Sequence, residues 1–600
     1  MISRRSARAA TQVEAPAPER AAESPSALDD RIRRLARTLA ESKPPKARLS
    51  CAQSFCAETA RRYWAKQQFR RSRPVRVCPV AVSKLDRESL ALAEDAGSHA
   101  AGLAPDDASY FIGRIYTAML PEEYRSELGV YYTPPTVARR LIENAGAAGR
   151  LSWETCRALD PACGGGAFLA PIARRMLAAM EGADRRVALR SLSERLRGFE
   201  VDPLAAWLSR IFLDVTISQV LGTPPPEDFD VVTVCDSLHQ TADASFDLVI
   251  GNPPYGRVQL SKKQRERFGR SLYGHANLYA LFLDLALQFA KADGLIAYVT
   301  PTSFLCGEYF KRLRETFAFH APPRHLEFIS EREGVFDDVL QETLLAVFSG
   351  EGSAAPAKVT FAEVGSLVRV GFGGEAPLPP VPSDPWIVAR STETAALAIR
   401  LRRMAHRLAD WGYSVSTGPL VWNRHKDRLR ESKSTRTVPL IWAEAVGADG
   451  DFSFRAARRN HSPYFLAHDD EEWLLVRRPC VLLQRTTAKE QARRLIAAEL
   501  PQGFIDESGG AVTVENHLNM LLPVKGEPSV STRVLTAFLN SAAADRAFRC
   551  ISGTVAVSAY ELESMPLPAP SSMDKIAELL GGHQGDEELE RAFDQLYGPG

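Results

Sequence analysis

The chain has 600 residues, of which 45% are hydrophobic and 24% charged, and its 74 basic and 73 acidic residues leave a formal net charge of +1. At about 100–200 residues per unit, this length allows three or four globular units, and the composition excludes a chain that is disordered or fibrous throughout. Charge alone announces no polyanionic partner, so any nucleic-acid surface must come from local segregation of basic residues.

Residues 1–27 are rich in Ala, Pro, Arg, Glu and Ser without apolar periodicity, and are expected to be disordered. Arg4, Arg5 and Arg8 precede no apolar core, and no run approaches the about 20 apolar residues that span a bilayer. From Leu28, Ile32, Leu35 and Leu39 onward helical spacing predominates, interrupted at Pro44-Pro45, which predicts a helical region over 28–120. From 121 to 350 short apolar runs (Ala158-Leu159, Phe199, Phe246–Ile250, Leu295–Val299, Leu344–Phe348) alternate with helical stretches. That alternation predicts an α/β unit with a mostly parallel sheet, whose ligands sit at the carboxyl ends of the strands. Gly, Pro and Ser at 351–390 read as a linker, followed by a helix over Thr392–Ala409. Mixed short segments predict an α+β unit over 391–568, and 569–600 reads as an acidic helical tail with Leu589, Phe593 and Leu596 on one side. Nine scattered cysteines with no CxxC pair argue against a disulfide framework or a zinc site and suit a cytoplasmic location.

Three segments of the α/β unit carry chemistry. Asp160-Pro161-Ala162-Cys163-Gly164-Gly165-Gly166 follows a strand and opens a helix, and its glycines allow close backbone approach to a ligand. Taken alone this is a weak sign, since phosphate and dinucleotide loops use the same turn. Glu200, one βα unit later, ends a second strand, where a carboxylate can accept bonds from ribose hydroxyls. Asn252-Pro253-Pro254-Tyr255 directly follows the strand Phe246–Gly251. Its prolines stiffen the loop, while the Asn252 side-chain carbonyl and the Pro253 backbone carbonyl are two acceptors suited to a neutral amino group. Tyr255 offers a flat face for a planar base.

In this order the segments resemble the S-adenosylmethionine-dependent amino-methyltransferases. More narrowly, the chain is similar to the N6-adenine DNA methyltransferases of bacterial restriction–modification systems whose cofactor segment precedes catalysis and whose recognition domain is C-terminal. The upstream Tyr131-Tyr132-Thr133-Pro134-Pro135 carries the narrower likeness. The resemblance implies a Rossmann-like methyltransferase domain at 121–350, a target-recognition domain at 391–568 and S-adenosyl-L-methionine as cofactor. Tyr132, Thr133 and Pro134 would touch its methionine end. Asp160, Ala162, Gly164 and Gly166 would line its pocket, Glu200 would hold the ribose and Asp236 the adenine amine. Phe246 and Pro254 would be pocket walls. Asn252 and Pro253 would hold the target amine, and Tyr255 and Phe336 would stack on the extruded base.

Arg257, Lys262, Lys263, Arg265, Arg267 and Arg270 make residues 256–278 an expected mobile segment closing over DNA phosphates. Further basic groups (Arg424, Lys426, Arg428 and Arg430; Arg458 and Arg459; Arg477, Arg478 and Arg485; Lys489, Arg493 and Arg494) lie among Trp422, Asn423, Trp442, Gln484 and Asn516, as in a surface reading double-stranded DNA. The expected partners are duplex DNA and a cognate restriction endonuclease, with no membrane and no metal. Alternatives are a bifunctional restriction and methylation enzyme, a methyltransferase acting on RNA or protein glutamine, and a non-catalytic DNA-binding subunit.

Overall fold

A computed structural model of the protein describes residues 25–597 apart from 70–72, 129–131, 150, 332–342, 351–354, 365–368, 457, 459, 469, 488–490, 492, 525, 553–555 and 583–585. The N-terminal part consists of α1 (Pro25–Glu41), α2 (Pro45–Ala65), α3 (Arg87–Ala100) and α4 (Pro105–Met119). Pro45 and Pro105 stand in first turns, where a missing N–H costs nothing, and the Asp86 side chain caps α3 by accepting from Ser89 N. Two further helices follow, α5 (Glu122–Leu128) and α6 (Pro135–Ala148).

The chain then alternates β1 (Ala158–Asp160), α7 (Leu169–Ala178), α8 (Arg185–Arg195), β2 (Leu196–Glu200), α9 (Pro203–Leu221), β3 (Val232–Val234) and β4 (Phe246–Gly251). A small insertion follows, made of β5 (Arg257–Val258), α10 (Lys262–Arg267) and β6 (Ala276–Asn277). Next come α11 (Leu278–Phe289), β7 (Ala290–Pro301), α12 (Ser303–Cys306), α13 (Lys311–His320), β8 (Pro323–Glu331) and β9 (Thr343–Ser349). These strands belong to a nine-stranded sheet ordered β11-β10-β8-β9-β7-β4-β1-β2-β3, whose last two members, β10 (Ala357–Val364) and β11 (Arg369–Ala376), lie further along the chain. Strands β3, β2, β1, β4 and β7 are parallel, and β9 is antiparallel to both β7 and β8. Burial on both faces explains the apolar runs Leu248–Ile250 of β4 and Leu344–Phe348 of β9. Helix α9 is buried on almost every side because α6 to α8 and the sheet share its neighbourhood with Phe55, Tyr63, Phe111 and Ile115 of the N-terminal helices. It is long and apolar enough to cross a membrane, but 78% of that stretch is buried within the protein. Strand order reverses between β1 and β4, which is where the ligand crevice of such a sheet opens.

Two expectations are corrected. Residues 351–390 are not a linker, because β10 and β11 within them extend the sheet beside β8. Their glycines serve packing rather than a loop: a Cβ at Gly373 would stand 2.5 Å from the Phe361 ring, and Gly374 has φ +89. The helix expected over Thr392–Ala409 shrinks to α14 (Ala395–Leu401), since His406 forms a β-bridge with Leu567 and Asp410 accepts from Arg407 N.

The C-terminal part holds two four-stranded sheets, over β12 (Tyr413–Thr417), β13 (Leu429–Arg430), β14 (Thr437–Ile441), β15 (Tyr464–Leu466), β16 (Cys480–Gln484), β17 (Ala497–Leu500), β18 (Thr513–Val514) and β19 (Leu518–Pro523), ordered β12-β19-β16-β17 and β13-β15-β14-β18. Helices at Thr532–Leu539 and Ala542–Arg549 pack on the first sheet, and the tail closes over them through Phe593 and Tyr597 against Phe538. One apolar core runs from α11 and β7 into these helices. Arg314 of α13, fully buried, sits at the junction: it donates to the carbonyls of Phe304, Gly307, Ser383 and Asp384 and to the Tyr560 hydroxyl.

Candidate active site

The carboxyl ends of β1, β2, β3 and β4 surround a cavity of about 240 Å³ lined by residues that include Tyr132, Ala162, Gly164, Glu200, Asp236, Asn252 and Pro254. The sheet brings all of these but Tyr132 together because parallel strands all end on one side, and Tyr132 reaches the cavity from just before α6. Gly164 (φ +49) and Gly166 (φ +87) make the turn after β1 in the left-handed region, and a Cβ at Gly166 would lie 2.6 Å from Ser209 Oγ. Asp160 is fully buried: Oδ1 accepts from Ala162 N at 3.0 Å, while Oδ2 has no partner among the described residues. Burial, aided by Glu200, pushes its carboxyl up to about 8 against the pull of the Ala162 N–H. Glu200 accepts from Gly164 N at 2.8 Å and Asp202 N at 2.9 Å, and burial and Asp202 push it up to about 7. Asp236 caps the turn Ser237–His239 by accepting from Leu238 N at 2.9 Å.

At the end of β4 the Asn252 side-chain amide lies between two hydroxyls, 3.1 Å from Thr133 Oγ1 and 3.0 Å from the Tyr255 OH. Thr133 is buried, and so is Pro253. The Tyr255 ring meets Tyr279 edge-on at 6.0 Å between centroids. Burial raises the Tyr255 phenol above its ordinary range, so it stays a hydrogen-bond donor at neutral pH. Thr133, Pro134, Asp160 and Gly166 do not line the cavity, though Thr133 bonds the lining Asn252 and Asp160 the lining Ala162, and Phe246 is a core residue packed on Phe289 and under Arg157, not a cavity wall. Phe336 lies outside the described residues, as do Tyr131, Arg459 and Lys489.

Sequence reasoning missed the apolar side of the cavity, Leu238, Val258, Leu260, Leu278 and Phe282, together with Gln264. Their signal was position: Leu238 closely follows Asp236, and the others lie in the segment through α10 and α11 that follows the Asn252 loop. Gln264 completes a capping box with Ser261, which orients it on the short helix α10. The segment 256–278 holds its place by two arginines. Arg267 donates to the carbonyls of Leu238 and Gln240, and Arg270 is bidentate to the buried Asp284. These two are structural, and Lys262 and Lys263 remain exposed on α10.

The C-terminal basic groups divide the same way. Arg428 pairs with Glu471 and lies over the Phe465 ring, Arg477 pairs with Glu472, and Arg494 is buried against Thr487. Trp442 is buried and stacked on His461 at 3.7 Å. Asn423, Arg424, Lys426, Arg430 and Arg478 are exposed.

A pocket for S-adenosylmethionine needs an acceptor pair for the ribose diol, an apolar slot for the base and an anionic group for the ammonium. Glu200 and the wall of Leu238, Val258, Leu260, Leu278 and Phe282 supply the first two, and Asp160, next to the lining residues Pro161 and Ala162, carries an Oδ2 that has no partner among the described residues and that a cation would ionise, so the residues fit. The buried Tyr132 hydroxyl also lacks a partner among the described residues.

Comparison with known proteins places this geometry. Residues 219–336 match the model of the Eco57I restriction-modification methylase family. The chain is 26% identical over 461 residues to the Type II methyltransferase M.BsuBI of Bacillus subtilis, covering 74% of this chain and 88% of that one. It is 24% identical over 360 residues to the Type II methyltransferase M.PstI of Providencia stuartii, covering 58% and 70%. In fold it is similar to the Type IIL restriction-modification enzyme MmeI, with a TM-score of 0.59 at 13% identity, covering 95% of this chain and 96% of that one. The α/β fold is therefore that of the restriction–modification methyltransferases, and over most of its length the chain resembles them in sequence as well.

Proposed function

We propose that the protein is a DNA methyltransferase that transfers a methyl group from S-adenosylmethionine to adenine N6 in duplex DNA. The observation that carries this reading is the Asn252 amide fixed between Thr133 and Tyr255 at the rim of the cavity that Glu200 and the glycine loop line. Adenine N6 is a weak nucleophile because its lone pair is shared with the ring. Asn252 and the Pro253 carbonyl would accept its two hydrogens and favour a more tetrahedral nitrogen, whose lone pair then points out of the ring plane. The cofactor, when bound, supplies an electrophilic methyl on a sulfonium. The N–C bond forms as the S–C bond breaks, and the nitrogen then releases one proton to solvent. Thr133 and Tyr255 hold Asn252 in place, so its acceptor costs little reorganisation during transfer. Burial raises the Cys163 and Cys235 thiols, leaving no thiolate beside the loop and favouring direct transfer over a covalent enzyme adduct.

The target nitrogen is inaccessible inside a duplex, so the base would be flipped into the site beside Tyr255. Lys262 and Lys263 on α10 would contact phosphates there, and the exposed Asn423, Arg424, Lys426, Arg430 and Arg478 belong to a C-terminal target-recognition surface. We assign the chain to the modification half of a restriction–modification system with an endonuclease partner. Single-molecule sequencing of DNA from a methylation-free host expressing the chain tests the reading. N6-methyladenine at one motif, absent with Asn252→Ala, is expected. Methylated cytosine, or unmodified DNA with soluble, cofactor-bound protein, overturns it.

A further inference from the structure

Helix α4 belongs by sequence to a region with no assigned task, yet one stripe of it touches the cofactor loop. Ser109, Gly113 and Tyr116 recur at i, i+4 and i+7, which places them on one helix face. Ser109 Oγ donates to the Gly165 carbonyl at 3.0 Å. The Tyr116 hydroxyl donates to Asp202 Oδ2 at 2.8 Å, and Asp202 N in turn donates to Glu200 Oε1 at 2.9 Å. Between these two anchors lies the Tyr132 ring. A Cβ on Gly113 would stand 2.0 Å from that ring and a Cβ on Gly165 2.4 Å from it, so the ring is seated against two glycines, one on α4 and one in the loop. Tyr132 also lines the cavity.

We propose that α4 is part of the cofactor site, with Gly113 setting the seat of Tyr132 and Tyr116 positioning Glu200 through Asp202. The inference rests on the cofactor reading above. A methyl group at 113 cannot fit beside the ring and displaces Tyr132, which Gly165 also meets closely. Because Tyr132 lines the cavity, that displacement alters the cavity wall. Loss of the Tyr116 hydroxyl leaves Asp202 with its helix-cap bonds to Leu204 N and Ala205 N but frees the carboxylate oxygen that ties it to α4. These are positioning residues; none is proposed to touch the reacting atoms.

The test is calorimetric titration of the full chain with S-adenosylmethionine, alongside initial rates on DNA. Gly113→Ala is expected to bind at least 10-fold more weakly and to raise the KM for cofactor, with kcat at saturating cofactor within about 2-fold of the unsubstituted chain. Tyr132→Ala removes the ring, so in that background Gly113→Ala should have no further effect on affinity, a coupling that general destabilisation does not produce. Tyr116→Phe, which retains the ring and the packing, should weaken binding several-fold and decides the matter if Gly113→Ala does not fold. Unchanged affinity in a folded Gly113→Ala, or additive losses in the double variant, overturns the inference alone. If the unsubstituted chain itself binds no S-adenosylmethionine, the cofactor reading falls and the inference falls with it.

Discussion

Replacing Asp160 by Asn should flatten the pH dependence of stability in the ligand-free protein. The carboxyl moves from 3.8 to about 8 on folding, chiefly through burial. Between those values the folded chain keeps a proton that the unfolded chain has released. Stability from this group is therefore full below pH 3.8 and is lost as pH rises through about 8, at about 1.4 kcal/mol per pH unit. Between pH 6 and 8 the loss amounts to about 2–2.5 kcal/mol, since the folded group is itself half ionised at the upper limit. Asn keeps an acceptor for Ala162 N and cannot ionise, at the cost of an amide with no acceptor, about 1–3 kcal/mol and independent of pH. Urea unfolding of both proteins at several pH values, following the transition of the sheet unit, measures the difference. By pH 6 the native protein has already given up about 3 kcal/mol through this group, so the Asn variant matches or exceeds it there and pulls further ahead by pH 8. A bound cation opposite Oδ2 favours the carboxylate, so the stabilisation given by S-adenosylmethionine should grow with pH in the native protein and not in the variant. Parallel stability curves over this range would refute the reasoning, because they would mean that Asp160 is already ionised at pH 6.

Thr133→Val removes one of the two hydroxyls flanking Asn252; kcat should fall about 10-fold with cofactor affinity within about 2-fold, and Thr133→Ser should restore it. Steady-state rates and titration together check this, and a pure affinity loss would place Thr133 on the cofactor instead. Changing Lys262 and Lys263 to Ala should weaken DNA binding and lower the slope of log affinity against log salt by up to about 2, measured by fluorescence anisotropy. Arg270→Ala leaves the buried Asp284 carboxylate with Ser271 and Gln288 as its side-chain partners among the described residues. It should destabilise the protein by about 3 kcal/mol in chemical unfolding, unlike Arg265→Ala on the exposed side of the same segment.

Much of the site is legible in the sequence because its loops follow apolar strands directly: Asp160, Glu200 and Asn252 each stand at or just past a strand end, and a parallel sheet gathers such positions. What escaped has a physical reason in each case. Glycines in β11 resemble loop text because a strand that packs under the Phe361 ring cannot carry a side chain at Gly373. The arginines at 267 and 270 look like phosphate contacts until their carbonyl and carboxylate partners are seen, since exposed and internally paired cations have the same spacing. The Ser109, Gly113 and Tyr116 stripe is ordinary helix text; its role depends on α4 meeting a loop more than fifty residues away in the chain.

The carbonyl cage around Arg314 bears on how such a chain can be recombined. Its ligands come from α12, from Ser383-Asp384 and from Tyr560, segments that flank the C-terminal sheets on both sides. A buried guanidinium with no carboxylate partner tolerates little rearrangement, because each freed N–H has no water to turn to. Any chimera that exchanges the C-terminal sheets must therefore keep its entry point after 384 and its exit point before 560, or bring all of the cage's carbonyls with it. Within those limits the cage holds the exchanged module against the sheet unit, so, on the proposed function, a transplanted module should change which bases are read while leaving their spacing from the modified one unchanged.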